Sequence, residues 1–447
     1  MQKDMTQGNA FSLIFRFAIP LLLGNLLQQT YNVVDAAIVG RILGPQALAG
    51  VGASASVQFL ILGFCIGTCS GFGIPIAQSF GAKDFRRMKD YLFHGYILSA
   101  IIAAVLTTVC ALCTDEILRL LKTPEDIFTD AHTYLLILFL GIPCTILYNL
   151  LSGYLRAVGD SKTPFLFLAV STVLNTALDY VCIAVFHWGV AGAAIATIFS
   201  QFLSGILCLF VILKRSRTLH IGKENCSFRR KDALTMMMMG APMGLQFSIT
   251  AIGSMFMQSA NNGLGSVYVT ALTAAMRIKQ FAMCPFDAIA TSVSVFCGQN
   301  YGAGKYDRIR QGIRTGFVIN IVYGIASGLG LIFGGRWMAM LFMDAGQTAI
   351  LDAAHRYLAC IGTCYWILGS LAIFRLSIQG LGFSGRAIFS GVAEMIARIV
   401  VSLVLVPLFG FWGTCVADQA AWSAACLYLW PTLRWCLKKI KTDLDRA

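Results

Sequence analysis

Long apolar stretches recur from one end of the chain to the other, separated by short charged or Gly-containing turns. Their length carries the signal, because a helix needs about 20 mostly apolar residues to cross the hydrocarbon of a bilayer. Twelve such stretches fall near 11–38, 47–76, 91–113, 132–155, 164–186, 190–213, 233–261, 266–297, 313–334, 355–380, 387–408 and 412–436. The pattern predicts an all-α integral membrane protein with twelve transmembrane helices. Met1 to Phe11 is polar, and the first apolar run continues to Ile38, too far for the core of a cleavable signal, so the first span is expected to be retained.

Composition narrows the class further. Of 447 residues 57% are hydrophobic and only 12% charged, with mean hydropathy +0.73, whereas soluble domains carry roughly 25% charged residues. The net charge of +13 raises the question of a nucleic-acid partner, and its distribution argues against one. Lys83, Arg86, Arg87, Lys89, Arg156, Lys162, the run from Lys214 to Lys231, Lys305, Arg308, Arg310, Arg314, Arg386, Lys438, Lys439 and Lys441 all fall on one side of a twelve-span topology. The opposite loops are nearly free of Lys and Arg, and one is acidic, with Asp115, Glu116, Glu125, Asp126 and Asp130. The positive-inside rule then puts both termini in the cytoplasm and the chain in the cell's inner (cytoplasmic) membrane. The lipid bilayer is its expected partner, with some attraction to anionic lipid.

The 15 cysteines suggest no redox or metal chemistry. The one C-x-x-C, Cys110 with Cys113, lacks a second pair or a neighbouring His. Cys65 with Cys69 and Cys360 with Cys364 stand one helical turn apart, a spacing suited to packing. No nucleophile–base set, metal cluster or phosphate loop is evident, so neither enzyme activity nor a cofactor is expected.

The two halves repeat each other. AQSFGAKDFRRMKDYLFHG from Ala77 matches GQNYGAGKYDRIRQGIRTG from Gly298, and Ile19-Pro20 matches Ala241-Pro242. RAVGDSKTP from Arg156 faces QGLGFSGRA from Gln379, and WGVAGAAIAT from Trp188 faces FGFWGTCVAD from Phe409. All four matches lie 221 to 223 residues apart. An even number of spans per repeat keeps both halves in the same orientation, as in parallel-repeat transporters. The expected organisation is an N-terminal six-helix lobe over 1–215, a cytoplasmic linker over 216–231 and a C-terminal six-helix lobe over 232–447.

Asp35 and Asp179 sit inside apolar spans, where a carboxylate costs about 2.5 to 3.5 kcal/mol on insertion scales and so needs a partner or a purpose. Asp35, Asp179 and Thr197 lie at similar depth, on the order of 9 to 13 Å below the outer surface at 1.5 Å per residue. Asn175, four residues before Asp179, shares its helix face. Two carboxylates, an amide and a hydroxyl supply the hard oxygens a small cation prefers, and the acid pair is equally suited to share a proton. The chemistry fits Na⁺ or H⁺ without choosing between them.

These residues resemble the multidrug and toxic compound extrusion (MATE) antiporters. The resemblance rests on IPLLLGNLLQQTYNVVDAAIVGRILG in and after the first span, AQSFGAKD after the second, LRAVGDSKTP after the fourth, NTALD in the fifth and GQNYGAG after the eighth. It covers the whole chain. It implies a pair of six-helix bundles that exchanges external Na⁺ or H⁺ for an intracellular drug-like molecule, often cationic, by alternating access. It also implies a cation site, possible for Na⁺, at Asp35, Asn175, Asp179 and Thr197, with Tyr31 and Asn32 around it. The second half departs from the pattern: under the repeat Asn175 aligns with Arg398 and Thr197 with Asp418. A salt bridge of Arg398 with Asp418, or with Glu394 one turn earlier, is expected to hold that lobe together internally. The acids that some relatives carry in the seventh and tenth spans have no counterpart here.

Substrate contacts are expected from the seventh and eighth spans. Met255, Gln258, Phe281 and Met283 offer soft, adaptable surface, and Asp287 offers a charge for an organic cation. Met236 to Met239 reads as interfacial packing. A lipid-linked oligosaccharide or lipid flippase of the same superfamily is the alternative, set back by the count of twelve spans and the few central arginines. A channel fits the duplicated lobes less well than alternating access does. The chain is expected to act as a monomer.

Overall fold

The computed structural model describes residues 3–121, 123–216, 218–222, 225 and 227–445. Helix α1 (Ala10–Ile42) begins where Asn9 accepts the Ser12 N–H on Oδ1 at 3.2 Å and the Leu13 N–H on its carbonyl at 3.1 Å. These bonds occupy donors that a helix start leaves open. There follow α2 (Pro45–Gly81), α3 (Phe85–Leu112), the short α4 (Thr114–Leu120), α5 (Glu125–Leu140), α6 (Ile142–Ala157), α7 (Lys162–Tyr180) and α8 (Gly189–Arg215). The second half runs through α9 (Arg230–Asn262), α10 (Ser266–Gly302), α11 (Tyr306–Ala339), α12 (Thr348–Thr363), α13 (Tyr365–Gly380), α14 (Ser384–Val400), α15 (Val406–Phe409) and α16 (Phe411–Asp445).

These helices account for the twelve spans of the sequence pattern. Among the described residues eight segments are long and apolar enough to cross a membrane singly, and two bent pairs bring the number to ten. The pairs are α5 with α6, bent by 47°, and α12 with α13, bent by 55°. Gly141 separates α5 from α6, and Pro143, just inside α6, has no N–H to continue the ladder. The remaining two, α9 with 33 residues and α16 with 35, are each about 50 Å long at 1.5 Å per residue, more polar but ample to span. Large apolar side chains such as Leu112, Phe333 and Leu427 are exposed on the outside of the helices. A bilayer covers such groups, whereas water would penalise them.

The chain divides into two compact units, each with its own core. The first comprises Met1–Asp4 and Leu23–Gly244, the second Met5–Leu22 and Leu245–Ala447. This differs from an even cut at 1–215 and 232–447, because the opening part of each half's first helix belongs to the other half's unit. Leu13, Ile14, Phe17 and Leu21 of α1 are buried in one hydrophobic cluster with α10 to α13 and α16. Met236 of α9 is buried in the cluster built from α2, α3, α5 and α6. Gly71 and Gly240 permit that second packing: a Cβ on Gly71 would lie 2.5 Å from the Met239 carbonyl, and one on Gly240 2.5 Å from the Phe72 ring. Both boundaries fall two residues past a helix proline, Pro20 or Pro242, where the lost N–H weakens helix continuity. Parts of the 216–231 linker segment pack on the first unit. Leu219 lies in the first unit's core, Asn225 Nδ2 donates to Asp90 Oδ1 at 2.9 Å, and the Arg229 N–H donates to His94 Nε2 at 2.8 Å.

In the first unit α2 packs on α5 and α6, and α8 on α5, α6 and α7. In the second, α10 and α11 pack on α12 and α13, while α16 packs on α13 and α14. Each fifth-position span changes pitch at the same place, α7 continuing as a π-helix over Val181–Val185 and α14 over Val401–Leu405.

Candidate functional site: two polar clusters in repeat-related positions

In the first unit α1 carries Tyr31 and Asp35, α7 carries Asn175 and Asp179, and α8 carries Thr197. The structure brings the carboxyl groups of Asp35 and Asp179 within hydrogen-bonding reach of each other. Both are buried, as is Asn175. Tyr31 Oη and Thr197 Oγ1 are 2.8 Å apart, tying α1 to α8 across the cluster. Tyr134 of α5 faces the same two acids, and so does Tyr31. Asn32 is exposed.

Among the described residues Asp35 Oδ1, both carboxylate oxygens of Asp179 and both polar atoms of the Asn175 amide have no hydrogen-bond partner. Neither acid forms an ion pair with a described Lys or Arg. Buried polar atoms left in this state are costly. Two carboxylates side by side in a low dielectric repel, so the cluster holds its charge only with a shared proton or an added cation. The π-helical turn directly after Tyr180 is a local widening often found beside functional groups. Because the second unit has one too, it belongs to the fold and not to this cluster alone.

The second unit fills the corresponding place differently. Lys279 of α10 donates from Nζ to Asp418 Oδ2 of α16 at 2.6 Å, and the Tyr357 hydroxyl of α12 donates to the same oxygen at 2.5 Å. Arg398 of α14 donates to Asp418 Oδ1 from Nη2 at 3.1 Å and from Nε at 3.3 Å. It also lies 3.6 Å from Glu394 Oε2. Glu394 in turn meets Arg375 of α13, whose Nε donates to Ser390 Oγ at 3.0 Å. Asp287, exposed on α10, feels the charge of Arg375. Arg398 thus bridges both acids available to it.

Sequence reasoning missed Lys279, Arg375 and the two tyrosines as members of these clusters. The tyrosines had a usable signal: AHTY at 131–134 recurs as AHRY at 354–357, at the same spacing as the other repeats. Lys279 did carry a signal, a charge inside an apolar span that needs a partner, but for neither Lys279 nor Arg375 does the local sequence show which, because their partners come from other spans.

Gln258 Nε2 donates to Asn262 Oδ1 one turn on at 3.0 Å, and Met283 packs against the second unit's core. Met255 and Phe281 are half-buried. Among the described residues no hydrogen bond or ion pair joins any two of Met255, Gln258, Phe281, Met283 and Asp287.

Known proteins share this arrangement of helices. The profile of the MatE family matches residues 20–181 and again 242–404, once in each half of the chain. The probable multidrug resistance protein YoeA of Bacillus subtilis is 30% identical over 437 residues, covering 95% of this chain and 93% of the relative. The probable multidrug resistance protein NorM of Thermotoga maritima is 22% identical, covering 96% and 94%. A solved outward-facing multidrug resistance MATE transporter superposes with a TM-score of 0.92 over 98% of both chains at 22% identity. With a profile matched in both repeats and a relative of this identity over nearly its whole length, the chain belongs to the MATE family of multi-pass membrane transporters.

Proposed function

We propose that this protein is a secondary antiporter that exports drug-like organic molecules, often cationic, against the entry of a small cation. Asp35 and Asp179 take up the cation, Na⁺ or H⁺, with Asn175 and Thr197 completing the oxygen set and Tyr31 holding Thr197 in place. The observation that carries this reading is the pair of adjacent buried carboxylates with no basic partner among the described residues. A structural acid pair would be expected to carry its own counter-charge, and an ion-visited pair would not. Bound cation cancels the repulsion between the two acids and draws α1 and α7 together. Loss of the cation restores the repulsion, which gives the ion differential affinity for two states of one unit, as any coupled transport requires.

The multidrug names of the relatives support drug-like substrates. Asp287 is the residue we assign to attract their positive charge, with Met255, Gln258, Phe281 and Met283 as adaptable surface. Asp287 lies within the field of Arg375, which moderates its charge and suits weak, releasable binding. The one-sided distribution of Lys and Arg supports cytoplasmic termini.

The test is transport in liposomes carrying separately imposed Na⁺ and H⁺ gradients, followed with a fluorescent cationic dye. Ion-driven accumulation is expected for the wild type and lost in Asp35→Asn/Asp179→Asn. Wild-type rates in that double variant remove the coupling site.

A further inference from the structure

The repeat relation shows what the second unit has done with each position of the first unit's cluster. Asn175 becomes Arg398, Asp179 becomes Ser402, Thr197 becomes Asp418 and Tyr134 remains a tyrosine, Tyr357. Asp35 becomes Met257, which is buried against Val401 and Ala417 in a small apolar cluster. Tyr31 becomes Gly253, where a Cβ would lie 3.0 Å from Met395 Cα and 3.6 Å from Arg398 Cδ, so the room of the missing phenol is shared with the arginine chain. One acid remains at the centre, moved from the fifth span of the half to the sixth. Around it the charges balance: Lys279, Arg375 and Arg398 stand against Asp287, Glu394 and Asp418.

We propose that Asp418 is a cation site whose occupant is built into the chain, the Lys279 ammonium standing where the first unit would admit a mobile cation. The ammonium is buried and held by the Asp418 carboxylate at 2.6 Å, the Tyr357 oxygen at 3.4 Å and the face of the Trp422 ring 5.9 Å from its centroid. A charge-assisted contact of 2.6 Å is a strong one, and an indole face is the preferred aromatic partner of a cation. Arg398 engages the other oxygen of Asp418, so the ammonium shares Oδ2 with the Tyr357 hydroxyl alone. Two buried hydroxyls of this region, Thr414 one turn before Asp418 and Ser402 in the place of Asp179, have no hydrogen-bond partner among the described residues. They are oxygens a small hydrated ion would use and a lysine leaves idle. A tethered cation does not exchange, so the second unit is insensitive to ion gradients. This inference concerns Asp418 and Lys279 only, and stands or falls separately from the coupling role of Asp35 and Asp179.

The experiment uses the full chain purified in detergent, in an Asp35→Asn/Asp179→Asn background that silences the first unit. The melting temperature is compared in NaCl and choline chloride at equal ionic strength, and then across pH in choline chloride. With Lys279 intact the melting temperature is expected to ignore the identity of the cation. Lys279→Ala uncovers one acid, and its melting temperature is expected to rise with Na⁺ if the site takes the metal, or with acidification if it takes a proton. Lys279→Arg restores indifference, and adding Asp418→Asn to Lys279→Ala abolishes the response. The proposal is overturned if Lys279→Ala ignores both cations, or if the background already responds as strongly as Lys279→Ala. It is equally overturned if Lys279→Ala folds in neither high Na⁺ nor acid while Lys279→Ala/Asp418→Asn folds.

Discussion

The first unit keeps two acids next to each other with no basic partner among the described residues, and the second surrounds one acid with a lysine, an arginine and a phenol. Both clusters occupy the same place in a duplicated six-span repeat, beside the same π-helical turn. The fold is thus common to the two places, and the charge inventory is what differs. On the reading proposed above, ion sensitivity comes from withholding internal cations, and rigidity from supplying them. On the same reading one half answers a gradient while the other serves as a fixed frame.

Breaking the frame should produce the largest effect. Arg398→Ala strands Asp418 and Glu394 with fewer counter-charges in a buried setting, and is expected to destabilise the second unit by about 3–5 kcal/mol, measured by denaturant or thermal unfolding in micelles. An unaltered midpoint would mean that the network is ornamental. Next comes Gly253→Ala. Its Cβ, 3.0 Å from Met395 Cα, carries an overpacking cost of about 1–3 kcal/mol, offset by roughly 1 kcal/mol of helix propensity. A net loss in the same assay is expected; a gain would show that Gly253 is not needed to seat Arg398.

Changes in the first unit should act on ions more than on stability. Asp179→Asn alone is expected to lower cation affinity at least tenfold, about 1.4 kcal/mol, while stability in ion-free buffer holds or rises because a repulsive pair is gone. Titration of cation-dependent melting reads both quantities, and a loss of ion-free stability would identify the pair as structural. The smallest effect belongs to Tyr31→Phe, which removes the 2.8 Å contact with Thr197 and should weaken ion-dependent stabilisation by about 0.5–1.5 kcal/mol, the net value of one hydrogen bond. Identical titration curves for Tyr31→Phe and wild type would exclude Tyr31 from the cluster.

Much of this arrangement is legible in the sequence. Hydrophobic run length revealed the twelve spans, because hydrocarbon thickness fixes a length that sequence displays directly. That Asp35 and Asp179 could meet followed from equal depth, which residue counting gives at a fixed rise per residue. What counting cannot give is the rotational phase of one helix against another. Lys279 and Asp418 lie 139 residues apart, and only packing decides that they face each other. The unit boundaries were hidden for a related reason. Pro20 and Pro242 were visible as a repeated pair, yet a proline shows where a helix is weak and not which core each side of it joins. The bend at Gly141 went unseen because span length alone does not distinguish a straight helix from a broken one.

The most direct measurement is cation uptake by the purified full chain, followed in parallel with radioactive Na⁺ and by proton release and binding. A single saturable site is predicted, present in the wild type and gone in Asp35→Asn/Asp179→Asn. Uptake that persists in that double variant, and disappears only when Asp418 is also replaced, would contradict the assignment of ion response to the first unit.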